Sequence, residues 1–104
     1  MIRISVLYPN GEGKIFDMKY YLAKHIPLVR RLSGAALKRV DVEEGAGGLV
    51  AGSPPAFLAM GHLSFESVQA FQSAFEPHAA EITGDIPNYT NTQPTIQISE
   101  VKLY

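Results

Sequence analysis

Apolar residues alternate at Ile2, Ile4, Val6 and Tyr8, then recur at helical spacing through Met18, Tyr21, Leu22, His25, Leu28, Val29 and Leu32. This change of period constrains the fold most. A strand with one buried face is followed by a helix with one apolar stripe, and each must cover the other. The run Leu37 to Val42 is β-like but charged, which suits an edge strand. Ala56 to Leu63 is apolar on both parities apart from His62, which suits a central strand. Ser64 stands before a second helical stripe of Val68, Phe71, Phe75 and, beyond Pro77, Ile82, and is its expected cap. Thr95 to Leu103 reads as the last strand. The order β-α-β-β-α-β implies the ferredoxin-like α+β fold, with four antiparallel strands and both helices on one face. A chain of 104 residues has room for one such domain, spanning 1–104.

Local punctuation agrees with this order. Pro9-Asn10-Gly11 closes the first strand, because Pro cannot donate to a ladder and Asn-Gly favours a turn. Asp17 is placed to cap the first helix and Gly34 to stop it. Pro27 lies inside the helical pattern. It deletes the bond from its own nitrogen to the Ala23 carbonyl and is expected to loosen the helix one turn back. Residues 43–55 hold four Gly and two Pro and read as a mobile connection. Gly84 to Pro94 shows neither period. In the last run Ile96 and Ile98 share one parity while Val101 and Leu103 hold the other, which predicts a bulge near Ser99 or a change of environment at the end.

Two helices cover only one face of such a sheet. Leu58, Met60 and Leu63 span both parities, so they cannot all face the helices, and the open face carries apolar surface. The expected remedy is a two-fold homodimer whose sheets meet face to face as a closed or nearly closed barrel.

Composition removes several function classes. Hydrophobic residues form 46% of the chain and charged residues 18%, which is globular rather than disordered. Cys is absent, so disulfide scaffolds, thiolate metal sites and thiol nucleophiles are excluded. Nine Lys and Arg against ten Asp and Glu leave a net charge of −1, without the clustered positive charge a nucleic-acid binder needs. No apolar run approaches the roughly 20 residues of a membrane span. Met1-Ile2-Arg3-Ile4-Ser5-Val6 goes straight into alternation and does not read as a signal peptide. A soluble cytoplasmic domain is the expectation.

Tyr8-Pro9 followed by Phe16-Asp17-Met18-Lys19-Tyr20-Tyr21-Leu22-Ala23-Lys24-His25-Ile26-Pro27-Leu28-Val29 resembles the opening motif of the EthD-like family, named for ethyl tert-butyl ether degradation. Gly84-Asp85-Ile86-Pro87-Asn88-Tyr89-Thr90-Asn91-Thr92-Gln93-Pro94 with Gln97 is similar to that family's closing motif. The resemblance implies a dimeric α+β barrel. It implies less about activity, because relatives in the wider superfamily act on hydrophobic, often aromatic substrates as cofactor-free monooxygenases, cyclases, decarboxylases and isomerases, and others bind haem. Fold analogy therefore selects no reaction.

His25 is the leading candidate for chemistry. It follows Tyr21 by one helical turn and Met18 by two, so the three share a face that looks toward the sheet. An imidazole titrates near neutrality and serves as general base or acid, or else it is a core histidine satisfied by a backbone carbonyl. His62, on the parity of Leu58 and Met60, either lines the pocket or caps a strand end at the barrel rim. His78 follows Pro77 on an acidic helix start. These three histidines show no His-x-x-x-His or His-x-His pattern and predict no metal site. A haem would need His25 or His62 as axial ligand and finds little room between short helices. Tyr89 lies in the aperiodic segment with Asn88, Asn91 and Gln93, which either covers the cleft beside His25 or packs over a sheet edge or partner. Asp85 either orients a histidine or caps a turn. Gly45-Ala46-Gly47-Gly48 opens no helix and so fails as a phosphate loop.

The expected function is a small cofactor-independent enzyme of oxygenase, cyclase, decarboxylase or isomerase type. Its substrate would be a hydrophobic oxygenated small molecule in a cleft between helices and sheet. His25 would move a proton, Tyr21, Tyr89 and His62 would meet substrate, and Met18 and Phe57 would form apolar wall. The alternatives are a non-catalytic small-molecule binding module and an accessory dimer associated with a degradation or oxidoreductase pathway.

Overall fold

The alternating run at the start of the chain forms β1 (Ile2–Pro9). The charged run forms β2 (Arg39–Glu44), the apolar run β3 (Phe57–Phe65) and the last run β4 (Thr95–Glu100). In this computed structural model, which describes residues 1–104, the strands make one antiparallel sheet ordered β2-β3-β1-β4. Helix α1 has three parts: Met18–Tyr20, a π turn Tyr21–His25, and Ile26–Ser33. Helix α2 joins Val68–Phe75, a 3-10 turn Glu76–His78, and Ala79–Gly84. This is the ferredoxin-like α+β arrangement expected from the order of periods. No helix is long and apolar enough to cross a membrane.

Register decides the two faces of the sheet. Ile4 pairs with Leu63 and Ile98, Val6 with Gly61 and Ile96, and Tyr8 with Ala59. Residues paired across strands share a face, so these look toward the helices. Ile4, Tyr8, Ala59 and Phe65 are each only 1–2% exposed there. The open face carries cross-strand rows of Arg39, Ser64, Arg3 and Ser99, then Asp41, His62, Ser5 and Gln97, then Glu43, Met60, Leu7 and Thr95. Leu63 therefore faces the helices while Met60 faces away. Leu58 falls where the β1–β3 register shifts, between the Tyr8 and Pro9 pairings. The open face is thus a narrow apolar strip among polar rows.

Asp17 caps α1 by accepting from the Tyr20 amide, and Gly34 ends it at a positive φ of 59°. One turn before Pro27 the helix widens into the π turn, with the Ile26 amide donating to the Tyr21 carbonyl. The extra residue advances the buried stripe. Tyr21, His25, Ile26 and Val29 are buried, whereas Leu22, expected on the stripe, is 51% exposed.

Three expectations are corrected. The cap of α2 is Ser67, whose hydroxyl accepts from the Ala70 amide, while Ser64 stays in β3 with its hydroxyl fully buried. β2 begins at Arg39 rather than Leu37, since the Leu37 amide is still spent on the Gly34 carbonyl of a 3-10 turn, Gly34–Ala36. β4 ends at Glu100 rather than Leu103 and shows no register shift against β1, so of the two readings of the parity change the change of environment holds and the bulge does not.

Candidate functional site

A cleft of about 400 Å³ lies between the helix-facing side of the sheet and the two helices, at the small end of ligand pockets. Thirteen of its nineteen lining residues are hydrophobic, so its walls are mainly apolar. Ile4, Val6 and Tyr8 of β1 form its floor, and Phe71 and Phe75 of α2 form one wall. Tyr21, His25, Ile26 and Val29 of α1 form the other. Ile96 also lines it and is 56% exposed, which marks its open side along β4.

His25 sits on the α1 wall with 4% of its surface exposed, its ring stacked on Tyr21 at 5.4 Å between centroids. Its Nδ1–H donates to Asp85 Oδ2 at 2.9 Å. The other Asp85 oxygen accepts from the Tyr20 hydroxyl at 2.7 Å and the Asn88 amide at 2.9 Å. Asp85 reaches this place because α2 ends at Gly84 and a short 3-10 turn, Ile86–Asn88, follows directly. Burial pushes the His25 imidazole below its ordinary value, with Asp85 opposing the shift. Burial pushes the Asp85 carboxyl up, but its hydrogen bonds from Asn88, Tyr20 and His25 together hold it below the usual carboxylate value. At neutral pH the pair is therefore a neutral imidazole donating to a carboxylate, with Nε2 as its basic atom.

Nε2 faces phenols. The Tyr89 hydroxyl reaches it at a long 3.4 Å and is bonded to the Tyr8 hydroxyl at 2.7 Å. Burial drives the hydroxyls of Tyr8, Tyr21 and Tyr89 well above their ordinary range, so all three remain neutral donors. Phe16 braces the group edge-on, 4.9 Å from Tyr8 and 5.0 Å from Tyr21. The Tyr21 hydroxyl lies against the backbone of Gly61, where any Cβ would overlap it. Glycine at this inner-strand position is what admits the phenol.

The residues singled out in the sequence separate into two groups. His25 and Tyr21 line the cleft, and Tyr89, 2% exposed, packs behind them against both. Of the aperiodic segment only Ile86 and Pro94 line the cleft, and Thr90, Asn91 and Thr92 fasten the rest to the end of β1 and the loop that follows it. Met18 is half-buried against the same aromatic cluster without lining the cleft. Phe57 is half-buried at the start of β3, opposite Pro9, and does not line it either. His62 is placed on the open face, the far side of the sheet from His25. There Ser5 Oγ and His62 Nδ1 are 2.9 Å apart, and His62 Nε2 lies 3.1 Å from Glu43. Its parity carried it away from the cleft. Tyr8, Tyr20 and Gly61 were missed by sequence reasoning, although Tyr8 is the last member of the alternating buried face. No three His, Asp or Glu side chains converge as a metal site.

The EthD domain family model matches residues 14–93. Among solved structures, an EthD-like protein from Ralstonia eutropha JMP134 is 44% identical over 98% of this chain and 92% of its own, with a TM-score of 0.94. An EthD family protein from Bacillus halodurans C-125 is 20% identical over 97% of this chain and 98% of its own, with a TM-score of 0.73. HapK from Hahella chejuensis is 13% identical over 100% of this chain and 96% of its own, with a TM-score of 0.61. The last two are likenesses of fold alone. No curated protein matches.

Proposed function

The chain belongs to the EthD family, and from that premise and its cleft we propose a homodimeric acid–base enzyme acting on a small, apolar, oxygenated molecule. The observation that carries this is the pairing of His25 Nδ1 with Asp85 at 2.9 Å in a cleft wall, which leaves Nε2 as the basic atom. His25 is the catalytic base and Asp85 its positioning residue. Tyr8 and Tyr21 donate to a ligand oxygen, and Tyr89 backs the imidazole.

The step needs nothing beyond a ligand carbonyl. Nε2 takes a proton from the carbon beside it, and the electron pair of that C–H bond passes into the carbonyl. The resulting enolate oxygen accepts from the tyrosine hydroxyls, which lie in a largely dry site where such donors count for most. The imidazolium, now beside ionised Asp85, returns the proton to the same carbon or to another. Return to another carbon is an isomerisation, within the range expected from the sequence.

The test is deuterium uptake by α-tetralone in heavy water, followed by proton NMR. The folded wild type is expected to label the carbon beside the carbonyl, and His25→Ala to lose at least about 100-fold of that rate. Equal labelling by folded His25→Ala removes His25 from the chemistry. Binding of α-tetralone by the wild type with no labelling over hours supports the carrier reading instead.

A further inference from the structure

Apart from His25, the charged and amide-bearing residues that line the cleft are few. Its lining contains no Lys or Arg, one carboxylate, Glu76, and one amide, Gln72. Gln72 and Glu76 stand one helical turn apart at the end of α2's first segment, so their side chains project on the same side. Neither side chain makes a hydrogen bond or ion pair within the protein, whereas both oxygens of the other carboxylate of the region, Asp85, are bonded. Thr83, also lining, already donates to the Ala79 carbonyl. The cleft therefore presents the phenols of Tyr8 and Tyr21 beside the base at one place, and at another an exposed carboxylate and amide on α2 that no protein group holds.

We propose that Gln72 and Glu76 are specificity-determining residues that read a hydrogen-bond donor on the ligand. The preferred ligand is then a bifunctional one: a carbonyl for Tyr8, Tyr21 and His25, and a hydroxyl or amine for Glu76. An anionic ligand is refused, because no cation in the cleft offsets the Glu76 carboxylate and the ionised Asp85 lies behind His25. This rests on the reading of the cleft as the ligand site, and deepens it.

Equilibrium binding tests it without any turnover. α-Tetralone, its ring-hydroxylated analogue, its ring-amino analogue and its ring-carboxylated analogue are titrated into the wild type, Glu76→Gln and Gln72→Ala, with Kd read from NMR shifts. Both variants lie at exposed positions and are checked for folding by the same spectra. The hydroxyl or amino analogue is expected to bind about fivefold tighter than the parent, and which of the two leads identifies the donor. The carboxylate is expected to bind about tenfold weaker than the parent and to recover in Glu76→Gln. Equal binding of the carboxylate and the parent by the wild type overturns the proposal. So does a donor preference that survives in both variants, and so does failure of every analogue to bind. Tight, donor-selective binding without deuterium uptake would leave this inference standing while removing the acid–base reading.

Discussion

At the scale of single residues, the site is an exchange of hydration for fixed partners. His25 gives up water and receives one carboxylate, and the balance leaves it below the ordinary value of 6.5. The sign of its stability linkage follows. An unfolded chain takes up this proton near 6.5 and the native protein only at lower pH, so stability is full above that value and falls as pH drops below it. Asp85 behaves differently, since its folded pKa lies below 3.8 and its contribution persists until still more acidic pH. Urea unfolding across this range is expected to show a slope that shrinks in His25→Gln; an unchanged slope would assign the acid sensitivity elsewhere. Gly61 gives a second prediction. Gly61→Ala places a methyl on the Tyr21 hydroxyl and is expected to cost about 1–3 kcal/mol, whereas the double change Gly61→Ala, Tyr21→Phe recovers part of it. Additive costs in that cycle would contradict the contact. His25 was legible because its spacing from Tyr21 puts both on one helix face, and Asp85 was legible as a group that either orients a histidine or caps a turn, but the choice between those roles was not. Asp85 lies 60 positions away along the chain, and nothing in a local pattern reports such a contact.

At the scale of elements, caps and breakers act where their chemistry allows. Ser67→Ala removes a capping acceptor and is expected to lower stability by about 1 kcal/mol. Ser64→Ala removes a buried hydroxyl that has no partner in the protein and is expected to be neutral or stabilising. Urea midpoints for the two variants separate them, and the reverse order would restore Ser64 as the cap. Periodicity was enough to find all four strands and both helices, since each needs one dry face. It failed at Leu22, where a uniform helical period cannot anticipate the added residue of the π turn. It also failed at β4, where the expected strand ran on to Leu103 although the backbone leaves the sheet after Glu100.

At the scale of the whole molecule, the open face should govern assembly. Leu7 and Met60 lie there among charged and polar rows, with no helix above them. Face-to-face pairing of two copies would bury that strip, so sedimentation at micromolar concentration is expected to give twice the 11.4 kDa chain mass. Met60→Lys is expected to return it to the monomer. A wild type that sediments only as a monomer would sink the dimer. The same face explains why His62 misled: its spacing fits a site residue, but strand alternation turns it to the side opposite His25. The cleft itself depends on no partner for its base, which α1 and the end of α2 assemble within one chain. The most direct measurement of that claim is the nitrogen NMR of the His25 ring at neutral pH, with and without α-tetralone. Nδ1 is predicted to carry the proton, with Nε2 bare and shifted when the ketone binds. A protonated Nε2, or an Nε2 signal indifferent to ligand, would contradict the account.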